Sequence, residues 1–239
     1  MYIQASMNLK KIVIVSAILL FMGSVLYIIP AFFYDVNKLN KNNPIPTSFM
    51  KYRMDQWKRD GINKKIRHTW VPLSQISRNM RLAVIVSEDA KFWKHDGFDF
   101  EAIQDAFVEN FRSGRFKYGA STISQQVIKN VYLSPTKNPL RKIKEAILTY
   151  RMEQVVSKKR ILEIYLNIIE MGDGIFGVQE AAKYYFGKPA SALTVNEAAK
   201  LAAILPNPIK YHPNSDQKFV TNRTRIIASR IAKIESYKK

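Results

Sequence analysis

A stretch of 23 residues without a charged side chain, Ile12 to Tyr34, constrains this chain more than any other feature. An α-helix rises about 1.5 Å per residue, so the stretch is long enough to cross a hydrocarbon core of about 30 Å. A cleaved signal peptide is the alternative, but its apolar core usually spans only about 7–15 residues and ends at a small-residue cleavage site, which is missing here. The sequence therefore favours a retained transmembrane helix.

This stretch divides the chain into four predicted parts. They are a short tail (1–11), the anchor (12–34), a polar, proline-bearing juxtamembrane linker (35–69) and one domain (70–239). Two lysines lie close to each end of the anchor, and long domains cross membranes largely regardless of charge. The local charge count therefore does not orient the anchor.

The charge balance narrows the range of partners. The 38 Lys and Arg residues against 19 Asp and Glu give a formal net charge of +19, which indicates nucleic acid, an anionic membrane surface or a phosphate-bearing substrate. The chain has no cysteine, which excludes disulfides and thiol nucleophiles. Its three histidines are too widely separated to suggest a zinc site.

From about residue 70 onward, apolar residues recur at helical spacing, which predicts a mainly α-helical domain. Asn138 and Pro139 are typical of a helix start, and Thr194 with Glu197 form a capping-box pattern. Gly187 is typical of a helix end. A last amphipathic helix is expected near 219–234.

The segment EDAKFWKHDGFD, Glu88 to Asp99, concentrates carboxylates and a histidine around one glycine. A polar helix end and turn would explain it without any function. However, the apolar residues before it predict a helix whose negative dipole end would lie beside Glu88 and Asp89, where anions are disfavoured. That conflict favours a functional role.

The segment GASTISQQVIKN, Gly119 to Asn130, places small hydroxylated residues before a predicted helix. Free N–H groups at a helix N-terminus can bind an anion. Simple N-capping by Ser121 is the structural alternative, and on composition alone it is the more economical explanation.

Two basic segments follow. In RKIKE, Arg141 and Lys142 lie on the same helix face as Glu145, a pattern that is usually a solvated ion pair. In SKKRILEIYLN, Lys158 and two further cations occupy a first helical turn, where the dipole disfavours them, so a phosphate or another anion is expected to compensate.

Together these four segments resemble the motifs of the peptidoglycan glycosyltransferases, glycosyltransferase family 51, and in particular its monofunctional members. EDAKFWKHDGFD is similar to the family's EDxxFxxHxGxD, GASTISQQ to GGSTITQQ, RKIKE to RKxxE, and KKRILEIYLN to KxxILExYLN. The resemblance runs from about Trp70 to Pro213. Ala120 and Ser124 depart from the second motif, but both side chains are small and the hydroxyl is kept.

The resemblance implies a lysozyme-like, mostly helical glycosyltransferase domain behind a single transmembrane helix, and it implies site residues. They are catalytic Glu88 and Glu145; diphosphate-binding Ser121, Lys129, Arg141, Lys142 and Lys158; and supporting Asp89, Phe92, His95, Gly97, Thr122, Gln125 and Gln126.

The resemblance also implies a reaction. The 4-hydroxyl of lipid II attacks the anomeric carbon of a growing lipid-linked glycan chain and displaces undecaprenyl diphosphate with inversion. Glu88 would be the general base, a role typically worth about 10²–10⁴ in rate. Glu145 would orient the cations or hold a divalent ion, Mg²⁺ or Mn²⁺, and no tightly bound cofactor is expected.

The implied location is the inner (cytoplasmic) membrane with the domain on the periplasmic side. The implied partners are the lipid substrate, the membrane and cell-division or elongation proteins, without nucleic acid. Two alternatives stay open: a glycan-cleaving hydrolase or lytic transglycosylase, which would also use Glu88, and a basic, non-enzymatic membrane-tethered scaffold.

Overall fold

A computed structural model describes residues 2–114, 119–133, 135 and 138–236, with residues 2–8 as backbone alone. Within these ranges the chain forms ten α-helices and one small sheet, so the prediction of a mainly α-helical protein is confirmed. The helices are α1 Tyr2–Ile28, α2 Ser48–Arg59, α3 Arg78–Glu88, α4 Phe100–Ser113, α5 Ile123–Tyr132, α6 Pro139–Val155, α7 Lys158–Ile168, α8 Val178–Phe186, α9 Val195–Ile204 and α10 Lys218–Ser236.

Helix α1 and the turn after it form the anchor. Residues Leu9–Phe32 are long and apolar enough to cross a membrane, and none of their most apolar part is buried inside the protein. The α-helix ends at Ile28, and a 3₁₀ turn, Ile29–Phe32, follows because Pro30 has no N–H to continue the α-helical pattern. Residues 29–34 therefore do not continue the α-helix.

The segment predicted as a juxtamembrane linker is largely folded. A 3₁₀ turn spans Val36–Asn40, and α2 starts after Thr47, whose hydroxyl accepts from the Met50 N–H at 3.1 Å. Met50 and Trp57 of α2 are buried. The segment therefore contributes to the core, while the boundary at residue 70 stays a prediction.

The core is built around α9. Its buried residues are mostly alanines, which let α3 and α10 approach closely from two sides. Helix α5 packs between α6 and α7, and Tyr165 of α7 is completely buried beneath it. This arrangement brings the end of α3, the start of α5 and one face of α10 together.

Local sequence signals set several of these helix ends, as predicted. The Asn138 side chain accepts from the Leu140 N–H at 2.9 Å at the start of α6, and Thr194 and Glu197 form a capping box at the start of α9. Gly187 ends α8 with a φ of +66°. The amphipathic C-terminal helix is also present, as α10.

A small sheet closes one side of the domain. Strand β1 (Arg67–His68) pairs in parallel with β3 (Ile175–Phe176), and β3 pairs in antiparallel with β2 (Glu170–Gly172). The sheet fixes the chain before α3 to the loop after α7.

Among the described helices after the anchor helix α1, α4 alone has no buried residue. Asp99 caps it by accepting from the Ala102 N–H at 3.0 Å, and Phe100, Phe107 and Phe111 are strongly exposed. Through Ala102 and Asp105 it contributes to the wall of the cleft described below.

Candidate active site

Glu88 is the last residue of α3 and lies at the wall of a cleft. Its carboxylate accepts from Gln126 Nε2 at 3.2 Å and lies 3.5 Å from Arg223 Nη2, with 15% of the side chain exposed. Burial raises the pKa of Glu88, and the neighbouring amide and guanidinium oppose that effect only in part. The negative charge of the Glu88 carboxylate is therefore only weakly neutralised by its neighbours, and the carboxylate is available to accept a proton.

The amide next to Glu88 is held in one orientation. The hydroxyl of Tyr165 donates to Gln126 Oε1 at 3.2 Å, which turns the Gln126 NH₂ group towards Glu88. Because burial raises the pKa of Tyr165 well above its ordinary value, this hydroxyl keeps its proton and remains a donor. The two contacts fix the side-chain position of Glu88.

Asp89, the adjacent carboxylate, has a different environment. It is buried, accepts from the Ile123 N–H at 2.9 Å, and accepts from His95 Nε2 at 2.9 Å. It therefore neutralises the positive end of α5 just after the negative end of α3. Both of its oxygens are engaged, which leaves Glu88 as the better proton acceptor of the two.

His95 is fixed in one tautomer by its neighbours. The Gly97 N–H donates to Nδ1 at 3.1 Å, so Nε2 carries the proton that binds Asp89. Gly97 has a φ of +95°, and a Cβ there would lie 2.9 Å from Cγ2 of Thr149. These contacts explain why the motif requires a histidine and a glycine two residues apart.

The start of α5 corrects one expectation. Thr122, not Ser121, is the N-cap: its hydroxyl accepts from the Gln125 N–H, and the Gln125 side chain accepts from the Thr122 N–H at 3.1 Å. The Thr122 hydroxyl also donates to the Gly97 carbonyl at 2.7 Å. N-capping by Ser121 was therefore a wrong expectation, and Ser121 is free to face the cleft.

Glu145 lies on α6 with 2% of its side chain exposed. Arg141 Nη1 donates to one of its oxygens at 3.1 Å, and Lys142 Nζ contacts the other. The predicted ion pairs on one helix face are therefore present, but the carboxylate is buried. The usual interpretation of this pattern is a solvated ion pair, but here one buried carboxylate holds two cations in place.

Lys129 adds a third cation to this group. It is half-buried on α5, and in the described part of the chain its ammonium has no hydrogen bond or ion pair. Burial lowers the pKa of Lys129, and the charges of Arg141 and Lys142 lower it further, although Glu145 opposes them. An anion bound here would offset both the cost of burying the Lys129 ammonium and its repulsion from the two other cations.

Ser121 connects the Glu145 group with the Glu88 cleft. Its hydroxyl accepts from Lys142 Nζ at 3.2 Å, and it lines the same cleft as Glu88. This cleft encloses about 260 Å³ between α3, α4 and the start of α5, and Arg230 of α10 also lines it. The structure therefore links the two predicted glutamates through a serine and a lysine.

Lys158 lies in a third group of residues. Its ammonium binds Glu153 at 2.7 Å and lies 4.8 Å from the ring centroid of buried Phe92. Glu153 also contacts the Ser124 hydroxyl, so a carboxylate supplies the compensation that was expected from an anion such as phosphate. Lys158 is not among the residues that line the Glu88 cleft.

A larger cavity of about 710 Å³ lies elsewhere, between α3, α7 and the turn at Leu73. None of the predicted site residues lines it. Its carboxylate, Glu163, is bound by Arg160 and by the Leu73 N–H. A base held in this way is unsuitable for proton transfer, so the smaller Glu88 cleft is the better candidate despite its size.

Several residues of the site were missed in the sequence. Arg223 and Arg230 come from α10, seven residues apart on one face, where Arg230 also donates to the Val86 carbonyl at 3.0 Å. Their spacing was the available signal, but it is equally typical of a surface helix. Tyr165 was inside a recognised motif, and Glu153 carried no distinguishing pattern.

Among the described residues, no group of three or more His, Asp or Glu side chains could hold a metal ion. Glu145 was the expected ligand, but each of its oxygens already faces a cation. In the part of the chain that the structure describes, side chains alone therefore do not form a three-ligand metal site.

Comparison with known proteins agrees with this architecture. The profile of the family described as Transglycosylase matches residues 56–232, which extends beyond the motif region on both sides. The biosynthetic peptidoglycan transglycosylase of Chromobacterium violaceum is 45% identical over 194 residues, which cover 81% of this chain and 85% of the relative. The protein of the same name from Azoarcus sp. is 48% identical over 185 residues, covering 77% and 80%.

The family profile covers more than half of the chain, and the relatives align over most of their own length. The matched region includes the Glu88 cleft, the Glu145 group and the face of α10 that carries Arg223 and Arg230. The chain therefore belongs to the transglycosylase family.

Proposed function

We propose that this protein polymerises lipid II into glycan strands and releases undecaprenyl diphosphate, using Glu88 as the general base. Membership of the family and the relatives' name make it a peptidoglycan glycosyltransferase of cell wall synthesis. The observation that carries the assignment of the base is the environment of Glu88: a carboxylate of raised pKa in a cleft, beside an adjacent carboxylate whose oxygens are both engaged.

In this mechanism Glu88 takes the proton of the acceptor 4-hydroxyl while its oxygen attacks the anomeric carbon. A raised pKa makes Glu88 a stronger base, provided that it is ionised at the working pH. Gln126 keeps the carboxylate aimed into the cleft. The bond to the diphosphate breaks on the opposite face, which inverts the configuration.

The departing diphosphate carries negative charge that must be stabilised electrostatically. Lys129, Arg141 and Lys142 form a cationic group around a single buried carboxylate, and the Ser121 hydroxyl joins it to the cleft. Arg223 and Arg230 provide further positive charge on the α10 side. Lys158 remains a proposed ligand, although its contact with Glu153 would have to be shared or exchanged.

A divalent cation, Mg²⁺ or Mn²⁺, is proposed to bind mainly through the substrate's own diphosphate. Magnesium sites of this kind use one or two carboxylates together with substrate phosphates. Glu145 would join such a site only by giving up a contact to Arg141 or Lys142. We therefore place no step of the reaction on a metal ion.

We further propose that the domain lies on the periplasmic side of the inner membrane, because the described residues include one helix that is long and apolar enough to cross it and the proposed substrate is used outside the cytoplasm. Single cysteines in this cysteine-free chain can test the topology with a membrane-impermeant maleimide. Labelling on α10 from outside intact spheroplasts is expected. Recruitment by cell-division or elongation proteins, and the lack of a nucleic-acid partner, remain predictions.

The deciding experiment incubates the purified protein with fluorescent lipid II and a divalent ion and separates the products on a gel. Glu88→Gln is expected to lower polymerisation by about 10²–10⁴. The matched control is Glu101→Gln, which removes a carboxylate that is 80% exposed and outside the cleft. Cleavage of preformed glycan with lipid II left intact would favour the hydrolase, and inertness towards both would favour the scaffold.

A further inference from the structure

The chain that leaves the anchor is bound to the domain along its length. Ala31 is completely buried, and Val36 and Leu39 are 2% exposed. Arg151 Nη1 donates to the Ala31 carbonyl at 2.6 Å, and Asn40 Nδ2 donates to the Val155 carbonyl at 2.8 Å. The second contact satisfies a carbonyl at the C-terminal end of α6, which the helix itself leaves without a partner.

Two further side chains hold the same segment. The hydroxyl of Tyr132 donates to the Asp35 carbonyl at 3.1 Å, and its ring packs 5.2 Å from that of Tyr34. Arg160 donates to the Leu39 carbonyl at 2.8 Å and to the Asn42 carbonyl at 2.9 Å. The connection between the anchor and the domain is therefore a packed joint with several hydrogen bonds.

Helix α6 runs beside the anchor in the same direction. Lys144 Nζ lies 3.7 Å from the ring centroid of Tyr27, Arg151 contacts Ala31, and Val155 contacts Asn40. Residues later in α6 therefore contact residues later in the segment that runs from the end of α1 to Asn40. The N-terminal part of α6 therefore lies at the level of the last turns of α1, and its C-terminal part lies farther out.

This alignment sets the height of the cationic group. Arg141, Lys142 and Glu145 lie within one turn of Lys144, and Lys144 is level with Tyr27. The apolar segment that can cross a membrane continues beyond Tyr27 to Phe32. The Glu145 group therefore lies level with the outer end of the span, where the head groups of lipids begin.

We propose that Arg151 is a positioning residue for the reaction, and that it acts by holding α6 against the end of the anchor. Its hydrogen bond satisfies a carbonyl of the 3₁₀ turn that ends the span, where water is scarce and an unpaired carbonyl is costly. In this position α6 presents the Glu145 group at the depth of a membrane-embedded diphosphate. The inference deepens the proposed function and rests on it.

The first test measures depth and does not require activity. Ile143 and Tyr150, both exposed on α6, are replaced singly by cysteine and labelled with an environment-sensitive fluorophore. Quenching by lipids brominated at known depths is expected to place the residue 143 label deeper than the residue 150 label, since about 10 Å of helix separates them. Arg151→Ala is expected to move the residue 143 label outward.

The second test compares two substrates. With long-chain lipid II in vesicles, Arg151→Ala is expected to lower kcat/KM by about 10-fold or more, because misplacing reacting groups by ~1 Å can cost ~10²-fold. With a short-chain, water-soluble analogue the loss is expected to stay within about 2-fold, since that substrate can reach the site at any height. Arg151→Lys, which keeps the charge and one donor, is expected to give intermediate values in both tests.

The matched control is Arg78→Ala, which removes an arginine that is paired with Glu235 of α10 and not with the anchor segment. It is expected to leave label depth and both rates unchanged. Equal losses on the two substrates, or a label depth that Arg151→Ala does not alter, would overturn the proposal. If the parent protein polymerises neither substrate, the proposed function fails, and the depth measurement still decides whether Arg151 sets the height of α6.

Discussion

The environments of Glu88 and Glu145 differ in how much positive charge meets each carboxylate. Glu145 is 2% exposed and has a guanidinium on one oxygen and an ammonium on the other. Glu88 is 15% exposed, and the two groups that oppose its burial most are one neutral amide and a guanidinium 3.5 Å away. Burial raises the pKa of Glu88, because these neighbours compensate the buried charge only in part.

The reaction requires two different tasks of its carboxylates, and the two environments suit different tasks. A proton acceptor must be able to bind a proton near the working pH, so strong cationic partners would disable it. A residue that arranges cations for a phosphate must stay ionised and must be held rigidly. Glu88 suits the first task and Glu145 suits the second.

A substitution of Glu145 is the most direct test of the difference between the two glutamates. Glu145→Gln is expected to lower kcat/KM for lipid II by on the order of 10-fold to 100-fold, because Arg141 and Lys142 lose the group that orients them. Steady-state kinetics over a pH series provides the measurement. The acidic limb of the profile should persist, because Glu88 is still present, and its disappearance would contradict the assignment of Glu88 as the base.

The two glutamates should also differ in their effect on stability. Glu145→Gln leaves two cations without their buried partner and is expected to cost about 1–3 kcal/mol of unfolding free energy. Glu88→Gln should instead raise the Tm slightly at neutral pH. The folded-state pKa of Glu88 is raised, so the folded protein holds this proton more readily, and its ionised form lowers stability as the pH rises through the folded pKa.

Thermal unfolding in one detergent, followed by circular dichroism, measures both effects. Below the ordinary pKa of a glutamate the Glu88→Gln variant and the parent should converge, because Glu88 is protonated in both the folded and the unfolded parent. A lower Tm for Glu88→Gln at neutral pH would contradict the assigned environment of this carboxylate.

The smallest expected effect concerns Arg223. Its charge lowers the pKa of Glu88, so Arg223→Gln should raise that pKa and move the acidic limb of kcat/KM to higher pH. The base is active above its pKa, so the part of the loss that arises from this shift should be about 3-fold at mildly acidic pH and should shrink at alkaline pH, which leaves any loss of diphosphate stabilisation unchanged. Arg225→Gln, on the exposed face of the same helix, is the control and should leave the limb in place.

Much of the fold was predictable because its signals are local. Asn138, Thr194 and Gly187 set helix ends through contacts within a few residues, and the structure confirms each one. Capping by Ser121 was wrong for a related reason, since Thr122 and Gln125 offered an equally local capping box one residue later. The glutamine three residues after Thr122 was the local signal that could have ranked Thr122 above Ser121, which is followed by Ser124 at that spacing.

The rest of the site depends on contacts that are distant in sequence. Arg223 reaches Glu88 across 135 positions (223 − 88) and looks like an ordinary cation of an amphipathic helix. The burial of Glu145, and the Ser121 contact that joins its group to the cleft, arise where α5 and α6 pack. A charge pattern on one helix does not show which other helices pack over its charged residues.

The burial of Ala31, Val36 and Leu39 has a practical consequence for preparing this protein in water. The folding unit does not begin where the membrane segment ends, because its first core residue, Ala31, belongs to the last turn of that segment. A shortened protein that starts after Leu39 would lose three core side chains and expose the surface they cover. Solubility gained by removing the anchor at that point would come with a looser and more aggregation-prone domain, so a cut before Ile29 is the better choice.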